Sequence, residues 1–239
     1  MKIIFICTKS ITFNKFLKSH ANYFIKKGHK IIVACSDSKK LEIRNKFKFK
    51  INFPQKTLQL FKIINYFKIF IQIKKLIIEN PNSIFYLHTP VASHLFRFFT
   101  FFYKLKIIYF VHGFRFTSTS NSIKNLFFKT IEKFFSLNTD VYITINNEDF
   151  NYAKFNLLKN SSCYKVNGVG LNLSSKNFKK KILKIKDIKK ILVIAAYKKE
   201  KGYLDLLKLA ERLKNQYMHI YCYGYGDKTR FQSIKIKNN

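Results

Sequence analysis

Short apolar runs alternate with longer stretches of helical periodicity along most of this chain, and that alternation is what most constrains its fold. A strand followed by a helix comes back to pair in parallel. Repeated strand–helix units therefore build a mostly parallel, doubly wound α/β sheet. The runs Ile3–Cys7, Lys30–Cys35, Phe49–Phe53, Ile84–Leu87, Ile107–Val111, Val141–Ile145 and Tyr164–Val166 read as strands. Segments 14–27, 57–79, 92–103, 122–135 and 148–158 read as helices. Gly28 stops the first helix, Pro54 ends the third strand, and Asn80-Pro81 stops the second helix. In 57–79 the apolar spacing is carried by Leu58, Phe61, Ile64, Phe67, Phe70, Ile71 and Ile77.

A polar, lysine-heavy stretch, Ser174–Lys190, reads as a linker. The alternation then restarts with a strand at Ile191–Ala195, a helix at Tyr203–Leu213 and a strand at His219–Tyr223, followed by the turn Gly224-Tyr225-Gly226-Asp227. The predicted organisation is a complete Rossmann-like domain over 1–173, a linker over 174–190, and the start of a second Rossmann-like domain over 191–239. The last piece is too short for a doubly wound domain of ordinary size, so it is expected to be incomplete.

Composition narrows the function classes. With 47% hydrophobic residues the chain can bury a sizeable core, which argues against disorder. Lys and Arg number 46 against 12 Asp and Glu, a formal charge of +34 that makes anionic partners candidates. Lys, Ile, Asn and Phe also share AT-rich codons, so genome composition is an alternative source of the charge. The aromatics fall on helical apolar faces, and no helix-turn-helix, zinc or RNP-type motif appears, so nucleic acid is not an expected partner. Cys7, Cys35, Cys163 and Cys222 form no CxxC and have no histidine at zinc-ligand spacing, so reduced thiols and no metal are expected. The start, Met1–Cys7, is too short an apolar run for a signal peptide. The most apolar long stretch, Leu95–Val111, is broken by Arg97, Lys104 and Lys106, short of a membrane span. The expected location is the cytoplasm, with peripheral contact to a membrane as an option. Residues 95–104 mix bulky apolar and basic side chains, which fits either an interfacial helix or a buried one on the sheet's flank.

In a doubly wound sheet, ligands gather at the carboxyl ends of the strands. The first such loop, Cys7-Thr8-Lys9-Ser10-Ile11-Thr12, lacks the GxGxxG that a dinucleotide requires for close backbone approach, which argues against a nicotinamide or flavin oxidoreductase. Ser10 and Thr12 either bond a substrate from this loop or cap the helix that follows. His88 and His112 end two strands, and Gly113 lets the backbone turn tightly beside His112. A histidine at such a position either packs or bonds a sugar hydroxyl or phosphate. Asn167-Gly168-Val169-Gly170 is a turn at the exit of the first domain. Lys201 and Gly202 precede a helix, where a lysine adds to the positive end of the dipole and suits a diphosphate; taken alone, Lys198-Lys199-Glu200-Lys201 reads more simply as a solvated charge run.

These residues, in order, resemble glycosyltransferase family 4, of the GT-B fold with two facing Rossmann-like domains. The matching pieces are Ser10–Phe13, Lys27-Gly28-His29-Lys30, His88–Ser93, His112-Gly113-Phe114-Arg115-Phe116, Asp140–Asn146 and Gly168-Val169-Gly170-Leu171. They cover nearly the whole first domain. The resemblance is to bacterial capsule, exopolysaccharide and lipid-linked oligosaccharide members. It implies retaining transfer from a nucleotide-sugar, with no other cofactor, to an acceptor that is often lipid-linked at the inner membrane face. It places His112 near the transferred sugar, and Ser10, Thr12, His88 and Gly113 at the acceptor. Lys201, Gly202, Gly224 and Gly226 would serve the donor. Two departures stand out. Ile194-Ala195-Ala196-Tyr197 has no arginine where many members carry one, leaving Lys198 or Lys199 as substitutes without the planar fork. The family's paired glutamates have no counterpart after Asp227, so the donor pocket is expected to be incomplete. The alternative to an active enzyme is an inactive remnant that retains acceptor or membrane binding.

Overall fold

β1 (Lys2–Ile6) is the centre from which the sheet grows. It pairs in parallel with β2 (Lys30–Cys35) on one side and β4 (Ile84–His88) on the other. β3 (Lys48–Lys50) extends the first side; β5 (Lys106–Val111), β6 (Val141–Thr144) and β7 (Ser162–Lys165) extend the second. The order is β3-β2-β1-β4-β5-β6-β7, all parallel. This computed structural model describes residues 1–55, 63–117, 122–157, 161–170, 190–197, 201–213 and 219–226. The chain divides into two compact units, Met1–Asn172 and Leu173–Asn239.

Alternating residues of each strand feed two cores, as the pleat requires. Phe5, Val33 and Phe110 pack with Phe13, Leu17 and Ala21 of the first helical segment on one face. Ile4, Ile6, Leu87, Tyr109 and Tyr142 pack on the other face, against α3 (Ile63–Ile78), α4 (Pro90–Phe99) and α6 (Asn147–Asn156). α5 (Ser122–Phe135) covers the same side and brings Phe128 to that core. Each large apolar side chain buried this way contributes about 1.5–3 kcal/mol.

Several boundaries differ from the sequence reading for visible reasons. The first helix starts earlier, as α1 (Ser10–Thr12), passes through a π-helical stretch (Phe13–Leu17) and continues as α2 (Lys18–Lys26). The third strand stops at Lys50 because the Phe53 N–H bonds the Ile51 carbonyl and turns the chain. α4 begins on Pro90, whose missing N–H costs nothing at a helix start, and ends at Phe99 rather than Tyr103. Residues 57–62 lie outside the described residues. In α3 the buried face is Ile69, Ile73 and Leu76, whereas Ile64, Phe67 and Ile71 point outward. Ile77 of the predicted spacing packs against the core and Phe70 meets Phe99, so the spacing spans two apolar faces of the helix, between which Lys68, Gln72 and Lys75 fall.

Arg97 is the largest fully buried side chain and lies inside α4's packed face. Its guanidinium donates to Glu132 Oε2 at 2.9 Å and stacks over Tyr109. Glu132 Oε1 lies 2.7 Å from His94 Nε2. Burial opposes both charges, but their mutual attraction holds Arg97 above and Glu132 below their ordinary values. Arg97 therefore cannot serve as a lipid-facing residue, and an interfacial role for α4 through this residue is excluded. Among the described residues no helix is long and apolar enough to cross a membrane.

The second unit holds β8 (Lys190–Ile194) and β9 (His219–Tyr223), paired in parallel, with α7 (Tyr203–Arg212) between them in sequence. Most of the predicted linker lies outside the described residues.

Candidate active site

The sheet reverses direction of growth between β1 and β4, so their carboxyl ends open a crevice at the switch point. Thr8 follows β1 and Thr89 follows β4. The Thr8 N–H donates to Thr89 Oγ1 at 3.0 Å, and the two hydroxyls are 2.7 Å apart. Thr89 has φ 67°, ψ 133°, a conformation that a β-branched residue adopts only under constraint. The Thr8 bonds and a bond from Ser93 N–H to the Thr89 carbonyl hold it there. Strain of this kind, of order 1–3 kcal/mol, collects at functional sites. The sequence places Thr8 and Thr89 in strand-end loops of interest but does not single out either residue.

His88 and His112 meet at the same end of the sheet. His88 Nδ1 and His112 Nε2 are 3.2 Å apart. His88 is fully buried, stacked on Phe5 and edge-on to Tyr86, and its Nε2 has no partner. An unpaired buried acceptor costs less than an unpaired N–H. The shared proton is therefore assigned to His88 Nδ1, which donates to His112 Nε2. That leaves His112 with its own proton on Nδ1. Burial, and secondarily His20, lowers His112 to about 4. Burial, His112 and His20 push His88 well below its ordinary value. Both rings are neutral at pH 7. A neutral imidazole suits a hydroxyl better than a phosphate.

The loop after His112 is anchored twice. Gly113 has φ 130°, which only glycine adopts freely. Phe114 and Phe116 stack on one another at 4.9 Å and are buried beside Tyr152. The Phe114 N–H donates to Asp149 at 3.4 Å, and Asp149 is bound to the α6 cap, Asn146, at 2.6 Å. Burial raises the Asp149 carboxyl against those bonds. Asp149 thus ties the start of α6 to the His112 loop, a link that joins residues distant in sequence and was not foreseen.

The other expected acceptor residues fare differently. Ser10 is buried, and both its N–H and hydroxyl donate to Asp37, at 2.6 and 2.8 Å. Burial works against the Asp37 charge, yet the Ser10 bonds hold that carboxyl below its ordinary range. Ser10 thus gives both of its donors to Asp37, and the helix cap is Lys9. Asp37 does the capping from the loop after β2. Thr12 is half-buried in the first turn of the helix. His88 is fully buried and meets His112 through its Nδ1. His20 of α2 reaches the exit loop, with Nε2 3.3 Å from the Val169 carbonyl. Among the described residues no cluster of His, Cys, Asp or Glu could hold a metal ion. Cys7 and Cys35 are buried free thiols, while Cys163 and Cys222 are half-buried.

In the second unit Lys201 is exposed and precedes Gly202, whose φ of 73° starts α7. A side chain at Gly224 would lie 1.8 Å from the Ala195 carbonyl oxygen, so glycine there is required by strand packing. Gly226, at φ 113°, lies over Tyr197. Lys198 and Lys199 lie outside the described residues.

The neutral histidines make stability pH-dependent. Unfolded histidine titrates near 6.5. Below that value the unfolded chain takes up protons that folded His88 and His112 refuse, so stability falls as pH drops from about 6.5 toward 4 and is flat above it. Urea unfolding across that window is expected to show a shallower loss in His88→Phe than in the wild type. Equal slopes would mean that the pair is not held neutral.

The sheet has the Rossmann-like architecture of GT-B enzymes. Sucrose-phosphate synthase of Thermosynechococcus elongatus superposes with a TM-score of 0.51 at 11% identity, over 72% of this chain and 91% of that one. MurG of Acinetobacter baumannii gives 0.50 at 10% identity, over 96% and 68%. UDP-N-acetylglucosamine 2-epimerase of Rickettsia bellii gives 0.54 at 13%, over 100% and 65%. At these identities the likeness concerns the fold alone. Residues 2–147 match the family described as Glycosyl transferase 4-like, and the chain belongs to that family. It is also 29% identical over 178 residues, 72% of its length, to EpsD of Bacillus subtilis (strain 168), whose name carries the glycosyltransferase assignment as provisional. The chain spans 44% of the length of EpsD.

Proposed function

We propose that this chain serves the transfer of a sugar from a nucleotide-sugar to a saccharide acceptor. The observation that carries the reading is the His88–His112 pair beside strained Thr89, at the switch point of a chain of this family. In this reading the first unit holds the acceptor. His88 orients His112, whose Nδ1–H meets a sugar hydroxyl. Gly113 and Thr12 border the acceptor. In the second unit Lys201, Gly202, Gly224 and Gly226 serve the donor, the lysine and the α7 N-terminus offsetting diphosphate charge. The acceptor is lipid-linked, and the protein works in surface polysaccharide assembly at the inner face of the cell membrane. The charge of +34 favours both an anionic donor and an acidic membrane.

The test is incubation with a panel of nucleotide-sugars and polyprenyl-diphosphate-linked saccharides, following nucleotide release and acceptor elongation. Release that depends on the acceptor is expected. Acceptor binding without any release would reduce the role to that of a binding unit, the second reading open from the sequence. Neither binding nor release would remove the proposal.

A further inference from the structure

Three neighbouring helices turn a second apolar face outward. α4 packs between α3 and α5 on one side of the sheet. At 3.6 residues per turn, Ile64, Phe67, Ile71 and Ile78 fall opposite the buried Ile69, Ile73 and Leu76 of α3. Likewise Leu126, Phe127 and Phe134 of α5 lie away from the buried Glu132 and Phe135. Phe98 is the outward residue of α4. Exposure is 66% for Phe67, 60% for Phe98 and 60% for Phe127. Apolar patches spread over several elements mark interaction surfaces.

The charge around this face selects its occupant. Lys68, Lys74 and Lys75 flank the α3 stripe, Lys75 pairing with the exposed Glu79 at 3.6 Å, and Lys133 borders the α5 stripe. The α5 acid, Glu132, is buried beneath the helix against Arg97. A second copy would bring the same lysines together on a chain already at +34. An apolar plane rimmed mainly with ammonium groups instead matches a bilayer with acidic headgroups, which attract each nearby lysine.

We propose that the outer face of the α3–α4–α5 layer docks on an acidic lipid surface. The proposal rests on the membrane-facing reading above and carries it beyond residues 95–104, of which Phe98 alone belongs to this face as described, to the outer stripes of α3 and α5. α5 runs from the carboxyl end of β5 back to the start of β6. Its first turn is thus at the crevice end of the sheet, about 20 Å from its last. A layer lying flat on the bilayer would keep the His112 crevice within reach of a lipid-borne saccharide.

Cosedimentation with phosphatidylcholine vesicles, with and without phosphatidylglycerol, tests this on the full chain. Binding is expected only with the acidic lipid, and the double variant Phe67→Ser, Phe127→Ser is expected to bind at least about tenfold more weakly. Both positions are exposed, so circular dichroism should be unchanged. A wild type that binds while the variant binds equally would overturn this surface and leave the membrane reading intact. A wild type that binds no vesicle would overturn both. A wild-type dimer that the variant abolishes, with no vesicle binding, would assign the face to a second copy.

Discussion

Glu132→Gln is expected to destabilise the first unit by about 3–5 kcal/mol in urea unfolding at neutral pH. The glutamine keeps the shape of the side chain but removes its charge. Arg97 would then remain charged and fully buried with neutral partners alone: the glutamine amide, the Ser93 carbonyl at 3.4 Å, the Thr139 hydroxyl at 3.5 Å and the rings of Tyr109 and Phe135. Removing one partner of a buried pair costs more than the pair is worth, because the survivor keeps its desolvation penalty. The double replacement Arg97→Met, Glu132→Leu should therefore recover most of the loss. The pair also sets an acid limit. Because folded Glu132 is held below its ordinary value, its contribution is present above the unfolded value of about 4.3 and disappears as pH falls through the folded one. A Glu132→Gln protein within 1 kcal/mol of wild type would show that the pair behaves as if solvated.

That network shows where sequence reading stops. The helix Ser122–Phe135 and the strand Lys30–Cys35 were legible to the residue, since both rest on local periodicity bounded by polar or glycine residues. Strand order was implied only as parallel winding, and the switch between β1 and β4 appears once pairing is seen. Arg97 and Glu132 lie 35 positions apart, and basic plus aromatic residues at 95–104 gave no sign that an acid waited on the next helix. The same limit hid Asp37 behind Ser10 and Asp149 behind Phe114: in each case a carboxylate from a later loop or helix meets an N–H of an earlier segment. His112 and Gly113 were found because a histidine and a glycine ending a strand is a local pattern. Thr89 was not, because its strain belongs to the backbone and to Thr8. Ile64, Phe67 and Ile71 carried the helical spacing in the sequence, yet they point away from the sheet. Periodicity reports that a face is apolar and is silent on which face meets the sheet.

Replacing His112 by alanine is expected to lower acceptor-dependent nucleotide-sugar turnover by about a hundredfold or more, the usual cost of losing a positioned donor or acid–base group. The loss should fall mainly on kcat, since one hydroxyl contact is a small part of saccharide binding. The argument turns on the ring being neutral. A histidine titrating at its ordinary value would make the rate change near pH 6.5. With His112 lowered to about 4, the rate should instead hold steady from neutrality down toward pH 5, until the fold itself begins to lose stability. His88→Phe separates the two histidines. It keeps the ring packing against Phe5 and Phe110 but removes the N–H that meets His112 Nε2. Freed of that bond, His112 can place its proton on either nitrogen, so the variant should lose part of the rate while retaining acceptor affinity. If His112→Ala turns over at the wild-type rate, the crevice at the switch point is a binding feature only. The chemistry must then be sought among the residues that meet the donor.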